Sequence, residues 1–214
     1  MCWNQAVSLN TFLFSMFVLC LIIYNNNYTQ YKVKSINNIW VYLFFASFIF
    51  MQLFEFFIWR NIDNKFYNHV FSVMAALLLV IQPVASLMML SNFSLRNTLL
   101  AVYLLMSVPY FIYKFITENM RTIVSEKGHL RWLFFNQAPF IFIVWLFFFL
   151  FSLVYEKKWS GFLFGFLSLC IFYYNYANDH TMGSMWCWVV NSVMIYYAAY
   201  LLIYLPFCDK KGLC

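Results

Sequence analysis

The chain has 214 residues, of which 65% are hydrophobic, 24% are aromatic and only 9% are charged. Soluble domains are about half apolar and a quarter charged, so this composition excludes a soluble protein and predicts an integral, multipass membrane protein. The bias runs along the whole length, which indicates one membrane domain over residues 1–214. The net charge of +6 comes mostly from connectors, where Lys and Arg meet lipid headgroups. We expect the lipid bilayer and a homo-oligomer as partners, and no nucleic acid.

Seven apolar runs have the length of a membrane-spanning helix, which is about 20 residues for a hydrocarbon core of about 30 Å. The runs are continuously apolar, whereas the strands of a transmembrane barrel alternate. We therefore predict an all-α fold, an integral membrane bundle of seven transmembrane helices. The predicted spans are residues 6–24, 38–59, 66–90, 98–116, 134–155, 159–177 and 186–205.

The connectors between the predicted spans are short and polar, which makes successive helices antiparallel neighbours. The connector 117–132 is the longest and most charged, so we expect regular structure outside the membrane there if anywhere. Absolute orientation stays open, because six Lys and Arg lie on the face with the amino terminus and seven on the other. The identity of the membrane stays open as well.

One carboxylate lies inside a predicted span. Glu55 interrupts the otherwise apolar second run, and an ionisable residue at membrane depth is costly enough to indicate a functional or paired position. Gln52, Glu55 and Trp59 follow i, i+3, i+7 spacing and so share one helix face. On the predicted seventh helix, Cys187 and Asn191 are four residues apart, which places a polar stripe there at the same depth. The two stripes can meet inside the bundle.

All three histidines fall on the membrane face nearest Glu55, because the helix count determines relative sidedness. His69 opens the third span, and His129, Asp179 and His180 lie in connectors on that face. Carboxylate and imidazole are suitable ligands for Zn²⁺ or another divalent metal. We therefore predict a polar pocket near this face for a metal or a small ligand. Its residues are Gln52, Glu55, His69, His129, Asp179, His180 and Asn191, with Glu55, His69, His129 and His180 as the metal ligands.

Two alternatives stay open for the same residues. A desolvated Glu and histidines that titrate near neutrality can also pass protons, which makes the bundle a proton, ion or small-solute pathway through Glu55, Gln52 and Asn191. In the third interpretation Glu55 is hydrogen-bonded to a neighbouring helix, the histidines lie at headgroup level, and the protein organises membrane without catalysis. The residues alone therefore leave enzymatic activity undecided.

The cysteines and the last predicted span bear on redox state and cofactor. Cys2 and Cys187 fall on one face, where they can form a disulfide in an oxidising compartment or remain a pair of thiols in a reducing one. A retinal Schiff base needs a lysine in the last helix, and residues 186–205 contain none. We therefore exclude retinal bound by Schiff base, whereas zinc or another divalent metal stays a candidate.

Four short motifs are distributed along the chain. They are Met1-Cys2-Trp3-Asn4, the Gln52 and Glu55 pair ending in Trp59, Gly128-His129-Leu130 followed by Trp132, and Gly183-Ser184-Met185-Trp186-Cys187-Trp188 with Asn191. In these motifs, and along nearly its whole length, the chain resembles a family of uncharacterised seven-span membrane proteins found in bacteria, protists and large DNA viruses. The resemblance implies the same seven-helix plan and supplies no activity. The bias toward Phe, Tyr, Asn, Ile and Lys indicates an AT-rich genome, which fits a viral copy.

Overall fold

The structure is a computed structural model that describes residues 4–135 and 139–210. Within these ranges the chain is helical apart from its connectors and one short β-hairpin, and the predicted all-α class is confirmed. The first half contains α1 (Gln5–Tyr28), α2 (Ile39–Arg60), α3 (Lys65–Leu87) and α4 (Phe93–Thr117). The second half contains β1 (Thr122–Val124), β2 (Leu130–Trp132), α5 (Pro139–Tyr155), α6 (Trp159–Tyr176), α7 (Met182–Val190), α8 (Val193–Ala199) and α9 (Leu205–Lys210).

An asparagine precedes each of the first four helices. The side-chain oxygens of Asn4, Asn38, Asn64 and Asn92 accept hydrogen bonds of 2.8–3.2 Å from backbone N–H groups of the first turn. Such caps satisfy donors that have no partner inside the helix. The cap at Asn92 starts α4 at Phe93, five residues before the predicted start of the fourth span at residue 98.

Among the described residues, five helical segments are long and apolar enough to cross a membrane. They are α1, α2, α3, α4 and the nearly continuous stretch Met182–Cys208. Helix α5 has 17 residues and is shorter than these. Helix α6 has 18 residues but contains Ser160, Gly161 and Asn175, which lower its hydropathy. The structure thus has the architecture expected of a multipass membrane protein, with α5 and α6 as the two predicted spans outside the set of five.

Helix α2 lies at the centre of the bundle. It packs against α1, α3 and α7, and 61% of the residues in its most apolar stretch are buried. Helix α4 packs mainly against α3, and only 11% of its most apolar stretch is buried. The two helices therefore differ in position although both are apolar enough to span.

The connector expected to hold regular structure forms the β-hairpin. Strands β1 and β2 are antiparallel, with Thr122 opposite Trp132 and Val124 opposite Leu130. Leu130 and Trp132 are buried in a cluster that includes Met51 of α2. The hairpin is thus an integral part of one end of the bundle.

Polar side chains of α3 and α7 hold the hairpin from two sides. Asn68 Nδ2 donates to the Thr122 carbonyl at 2.9 Å, and the Thr122 N–H donates to Asn68 Oδ1 at 3.0 Å. Ser72 Oγ lies 2.9 Å from Thr122 Oγ1. On the other strand, Ser184 Oγ donates to the Leu130 carbonyl at 3.0 Å. Each hairpin strand is therefore bonded to a different helix.

The last membrane-length segment begins at Met182, four residues before the predicted start, and it is not a regular α-helix. Helix α7 ends at Val190, and a turn at Asn191 and Ser192 separates it from α8. The N–H groups of Ser192, Met194 and Ile195 donate to carbonyls three residues back at 2.9–3.0 Å. That pattern is tighter than the four-residue ladder of an α-helix. The helix therefore tightens for one turn between α7 and α8, well inside the segment, while the backbone of Asn191 and Ser192 keeps right-handed helical angles.

Candidate functional site

The first residues of α7 pack closely on the hairpin. A Cβ atom added at Gly183 would lie 3.0 Å from the Trp132 ring and 3.2 Å from the Phe135 ring, so a larger residue here would force these rings to shift by a few tenths of an ångström. Ser184 then bonds to β2, as described above. The Gly-Ser pair of the fourth motif therefore has a direct structural role.

The two tryptophans of the same motif bond to two further helices. Trp186 Nε1 donates to Ser168 Oγ of α6 at 3.0 Å. Trp188 Nε1 donates to Thr11 Oγ1 of α1 at 3.1 Å. Indole N–H groups need partners when buried, and these two find them on opposite sides of α7. The motif therefore connects α7 to α1, α6 and the hairpin.

Glu55 lies beside this segment, completely buried in α2. Gln52 is also completely buried, and its Nε2 donates to Glu55 Oε2 at 2.8 Å. Cys187, which is 1% exposed, is close enough to Glu55 for the two groups to interact electrostatically. The predicted meeting of the polar stripes on α2 and α7 is therefore present at Glu55 and Cys187.

Asn191 makes the second connection between α7 and α2. Its Nδ2 donates to the carbonyl of Phe48 on α2 at 3.2 Å and to the carbonyl of Cys187 at 2.9 Å. Asn191 directly follows the last residue of α7 as its C-cap, so its side chain bonds to both α2 and α7 at the turn.

The two connections imply an antiparallel register. Cys187 lies near Glu55, and Asn191 lies at Phe48. Residue numbers therefore rise along α7 in the direction in which they fall along α2. At about 1.5 Å per residue, the stretch from Phe48 to Glu55 measures about 10 Å. Gln52 falls between its ends, on the same face of α2. The buried side chains of Gln52, Glu55 and Asn191 thus form a polar cluster spread over about 10 Å along the contact between α2 and α7.

Two acceptors of this cluster have no donor. Gln52 Oε1 and Asn191 Oδ1 are buried and accept no hydrogen bond from any residue in the described ranges 4–135 and 139–210. A buried polar atom without a partner costs about 1–3 kcal/mol. The cluster therefore presents two amide oxygens and a carboxylate in an interior with little access to water.

A second polar cluster lies at the hairpin turn. Ser125 Oγ donates to Asp179 Oδ2 at 3.2 Å, and the His129 N–H donates to Ser125 Oγ at 3.3 Å. The half-buried His129 ring lies edge-on to Tyr176, with 5.8 Å between ring centroids. Burial lowers the pKa of His129, while the nearby Asp179 carboxylate opposes that shift. The structure thus places His129 and Asp179 together.

The other two predicted histidines occupy separate positions. His69, half-buried on α3, lies against Phe115 of α4 with 6.2 Å between ring centroids. His180 is exposed and has a left-handed backbone with φ of 54°. The N–H of His180 donates to the Ala177 carbonyl and that of Thr181 to the Tyr176 carbonyl, which is the pattern of a helix end that usually carries glycine. His180 thus terminates the helical turns after α6.

The predicted metal ligands do not form a recognisable metal centre. In the part of the chain that the structure describes, no three His, Cys, Asp or Glu side chains lie close enough together to hold a metal ion. The zinc or divalent-metal site of Glu55, His69, His129 and His180 therefore stays a prediction without geometric support.

The predicted cysteine pair is only half within the described residues. Cys187 is buried and forms no disulfide with another cysteine of the described residues. Cys2 lies outside the described ranges, so the pairing of Cys2 with Cys187 stays a prediction.

Several polar residues that hold the hairpin or bond to α7 were not predicted from the sequence. Thr11 of α1 was not predicted, nor were Asn68, Ser72 and Thr122, which hold the hairpin. A signal was present, since Asn68 and Ser72 are four residues apart and so share a face of α3. Thr11 offers no such signal beyond being polar in an apolar run.

Comparison with known proteins returned no relatives. The chain matches no family model, no curated protein and no solved structure. The resemblance to seven-span membrane proteins therefore stays a prediction, and function has to be inferred from the geometry.

Proposed function

We propose that the chain is a seven-span integral membrane protein and that Gln52, Glu55 and Asn191 bind a small hard cation inside the bundle. This proposal favours the proton, ion or small-solute pathway predicted from the sequence over the metal enzyme. The observation that carries the proposal is the pair of buried amide oxygens, Gln52 Oε1 and Asn191 Oδ1, that accept no hydrogen bond within the described ranges.

The seven-span count is supported by the form of α5 and α6. Helix α5 has 17 residues, which at about 1.5 Å each extend about 25 Å and meet the lower limit of about 17 residues for a span. Helix α6 packs on α5 and α7, and α5 packs on α3. Both helices are therefore built into the bundle alongside the five longer segments, and we assign them as the fifth and sixth spans.

A cation fits the cluster because the two side-chain atoms that lack a partner within the described ranges, Gln52 Oε1 and Asn191 Oδ1, are both hydrogen-bond acceptors. The two amide oxygens carry partial negative charge, and the Glu55 carboxyl supplies a formal charge when ionised. Carboxylate and carbonyl oxygens are the ligands that hard cations prefer. A bound cation would also satisfy both amide oxygens, which removes the cost of leaving them buried without partners.

The tight turn next to Asn191 supports the same assignment. The hydrogen-bond pattern of the last segment changes there, at the residue whose side chain bonds to both α2 and α7. Binding at Asn191 is therefore placed to alter the packing of the last segment.

The test is the melting temperature of the purified full-length protein in detergent with Na⁺, K⁺, Li⁺, Mg²⁺ or Ca²⁺ as chlorides. Choline chloride keeps the ionic strength constant. A ligand that binds only the folded state stabilises it by about 2.7 kcal/mol at one hundred times its dissociation constant. We expect one cation to raise the melting temperature of wild type and to have no effect on Glu55→Gln or Gln52→Leu.

Two further variants serve as controls. Glu126→Gln and Gln30→Leu make the same chemical changes at exposed positions, and both should respond to the cation as wild type does. A cation response that persists in Glu55→Gln, or the absence of any response in wild type, would contradict the proposal. Elemental analysis of the same samples tests the divalent-metal prediction separately, since a transition metal lost from His129→Ala would favour it.

A further inference from the structure

An apolar cleft opens beside the connector between α5 and α6, on the face opposite the histidines. Its volume is about 360 Å³, within the range of about 300–1,000 Å³ typical of ligand sites. Phe44, Phe149, Trp186 and Val190 line its deeper part. The walls therefore come from α2, α5 and α7, and α6 completes them.

The mouth of this cleft is polar and cationic. Lys157 and Lys158 line it together with Ser35 and Ser160, and all four belong to connectors or to the first residues of a helix. The cleft thus has cationic and hydroxyl donors at the membrane surface and aromatic side chains below them. An amphiphile with an anionic head matches this distribution.

Lys157 has a left-handed backbone conformation, which is unfavourable for a residue with a side chain. Its φ is 55°, and the N–H groups of Lys157 and Lys158 donate to the carbonyls of Val154 and Leu153. This is the helix end at which glycine is normally found. A lysine in the left-handed region carries a steric cost, which indicates that its side chain serves a purpose at this position.

Lys158 is half-buried. Burial lowers the pKa of Lys158, and Glu156 opposes that shift. The Glu156 carboxylate accepts a hydrogen bond from the Ser91 N–H at 2.6 Å, so it is bonded to the connector between α3 and α4. An anionic group at the mouth would stabilise the partly desolvated ammonium of Lys158.

We propose that this cleft binds an anionic phospholipid, with one acyl chain among α2, α5, α6 and α7 and the phosphate at Lys157 and Lys158. The site is independent of the cation site at Glu55, and either proposal can fail without the other.

The test is retention of lipid by the full-length protein, measured by native mass spectrometry. The protein is loaded in mixed micelles of phosphatidylglycerol and phosphatidylcholine with identical acyl chains. Wild type should retain phosphatidylglycerol about tenfold more than phosphatidylcholine, the ratio expected for a charge-assisted contact. The variant Lys157→Gln/Lys158→Gln should lose this preference, whereas Lys65→Gln/Lys127→Gln, with the same change of net charge at exposed positions, should keep it.

Two more variants separate the lysines' role from folding and from surface binding. Lys157→Gly removes the strained side chain, so it should raise the melting temperature while it lowers phosphatidylglycerol retention. Gly161→Leu fills the cleft with both lysines intact and should also lower retention. Equal retention of the two lipids by wild type would overturn the proposal, as would unchanged phosphatidylglycerol retention in Lys157→Gln/Lys158→Gln or in Gly161→Leu.

Discussion

Helices α2 and α4 are nearly equal in hydropathy and differ in position. Their most apolar stretches have mean hydropathies of 1.9 and 1.8, yet 61% of the first and 11% of the second is buried. The buried residues of α2 include Ser47, Gln52 and Glu55, whereas those of α4 are Tyr103 and Lys114. Helix α2 therefore buries polar side chains along its length, whereas α4 buries few residues of any kind.

The physical reason why equal hydropathy does not determine position is that lipid is the solvent around the helices. Lipid tails are as apolar as leucine, so hydropathy gives no preference for helix contact over lipid contact. Buried hydrogen bonds and close approaches at small residues provide that preference. In this chain one group of such contacts joins α3 and α7 to the hairpin. The following predictions test the contribution of that group, in order of decreasing effect.

The largest effect is expected for Asn68→Leu on α3. The change removes both hydrogen bonds to the backbone of Thr122 and leaves a buried donor and acceptor without partners. Each costs about 1–3 kcal/mol, so we expect a loss of about 3 kcal/mol in unfolding free energy, read from denaturant unfolding. Asn97→Leu on α4 is the matched control, since Asn97 is exposed. Equal losses in the two variants would contradict the distinction between central and peripheral helices.

A smaller loss is expected for Gly183→Val. Its Cβ atom would lie 3.0 Å from the Trp132 ring, and overpacking of this kind costs about 1–3 kcal/mol. In Gly161→Val the new Cβ would lie 4.0 Å from Leu153, an ordinary contact. We therefore expect a clear fall in melting temperature for Gly183→Val and a much smaller one for Gly161→Val. Similar falls would show that α7 does not depend on its close contact with the hairpin.

The smallest effect is a dependence on pH at the hairpin turn. Because burial lowers the pKa of His129 in the folded protein, the unfolded chain binds the proton more readily as the pH falls. The contribution of His129 to stability is therefore complete above its ordinary pKa of about 6.5 and is lost on acidification. The melting temperature should fall between about pH 7.5 and 5.5, and the fall should be smaller in His129→Gln. An identical pH profile for the two proteins would contradict this assignment.

Much of the fold and part of the site were predictable from local patterns. The apolar runs predicted the long helices, and asparagine before a run is a start signal that would have placed the start of α4 correctly. The spacing of Gln52 with Glu55 and of Cys187 with Asn191 predicted two stripes, and the structure brings them together. Periodicity within one helix carries that information, so no knowledge of neighbouring helices was required.

The other features depend on which helices are neighbours in the plane of the membrane, and the pattern of apolar runs does not contain that information. His69, His129 and His180 were assigned to one face, but a shared face leaves helices free to lie far apart across the bundle. In the structure His69 lies against Phe115 and His129 lies against Tyr176. The contact of Trp188 with Thr11 and the docking of the hairpin likewise join residues that are distant in sequence.

The most direct test of the cation site is a calorimetric titration of the stabilising cation into purified wild type and Glu55→Gln. The account predicts about one binding site per chain in wild type and no measurable binding in the variant, with both proteins folded by circular dichroism. Equal binding by the two proteins, or none by wild type with any of the cations tested, would contradict it.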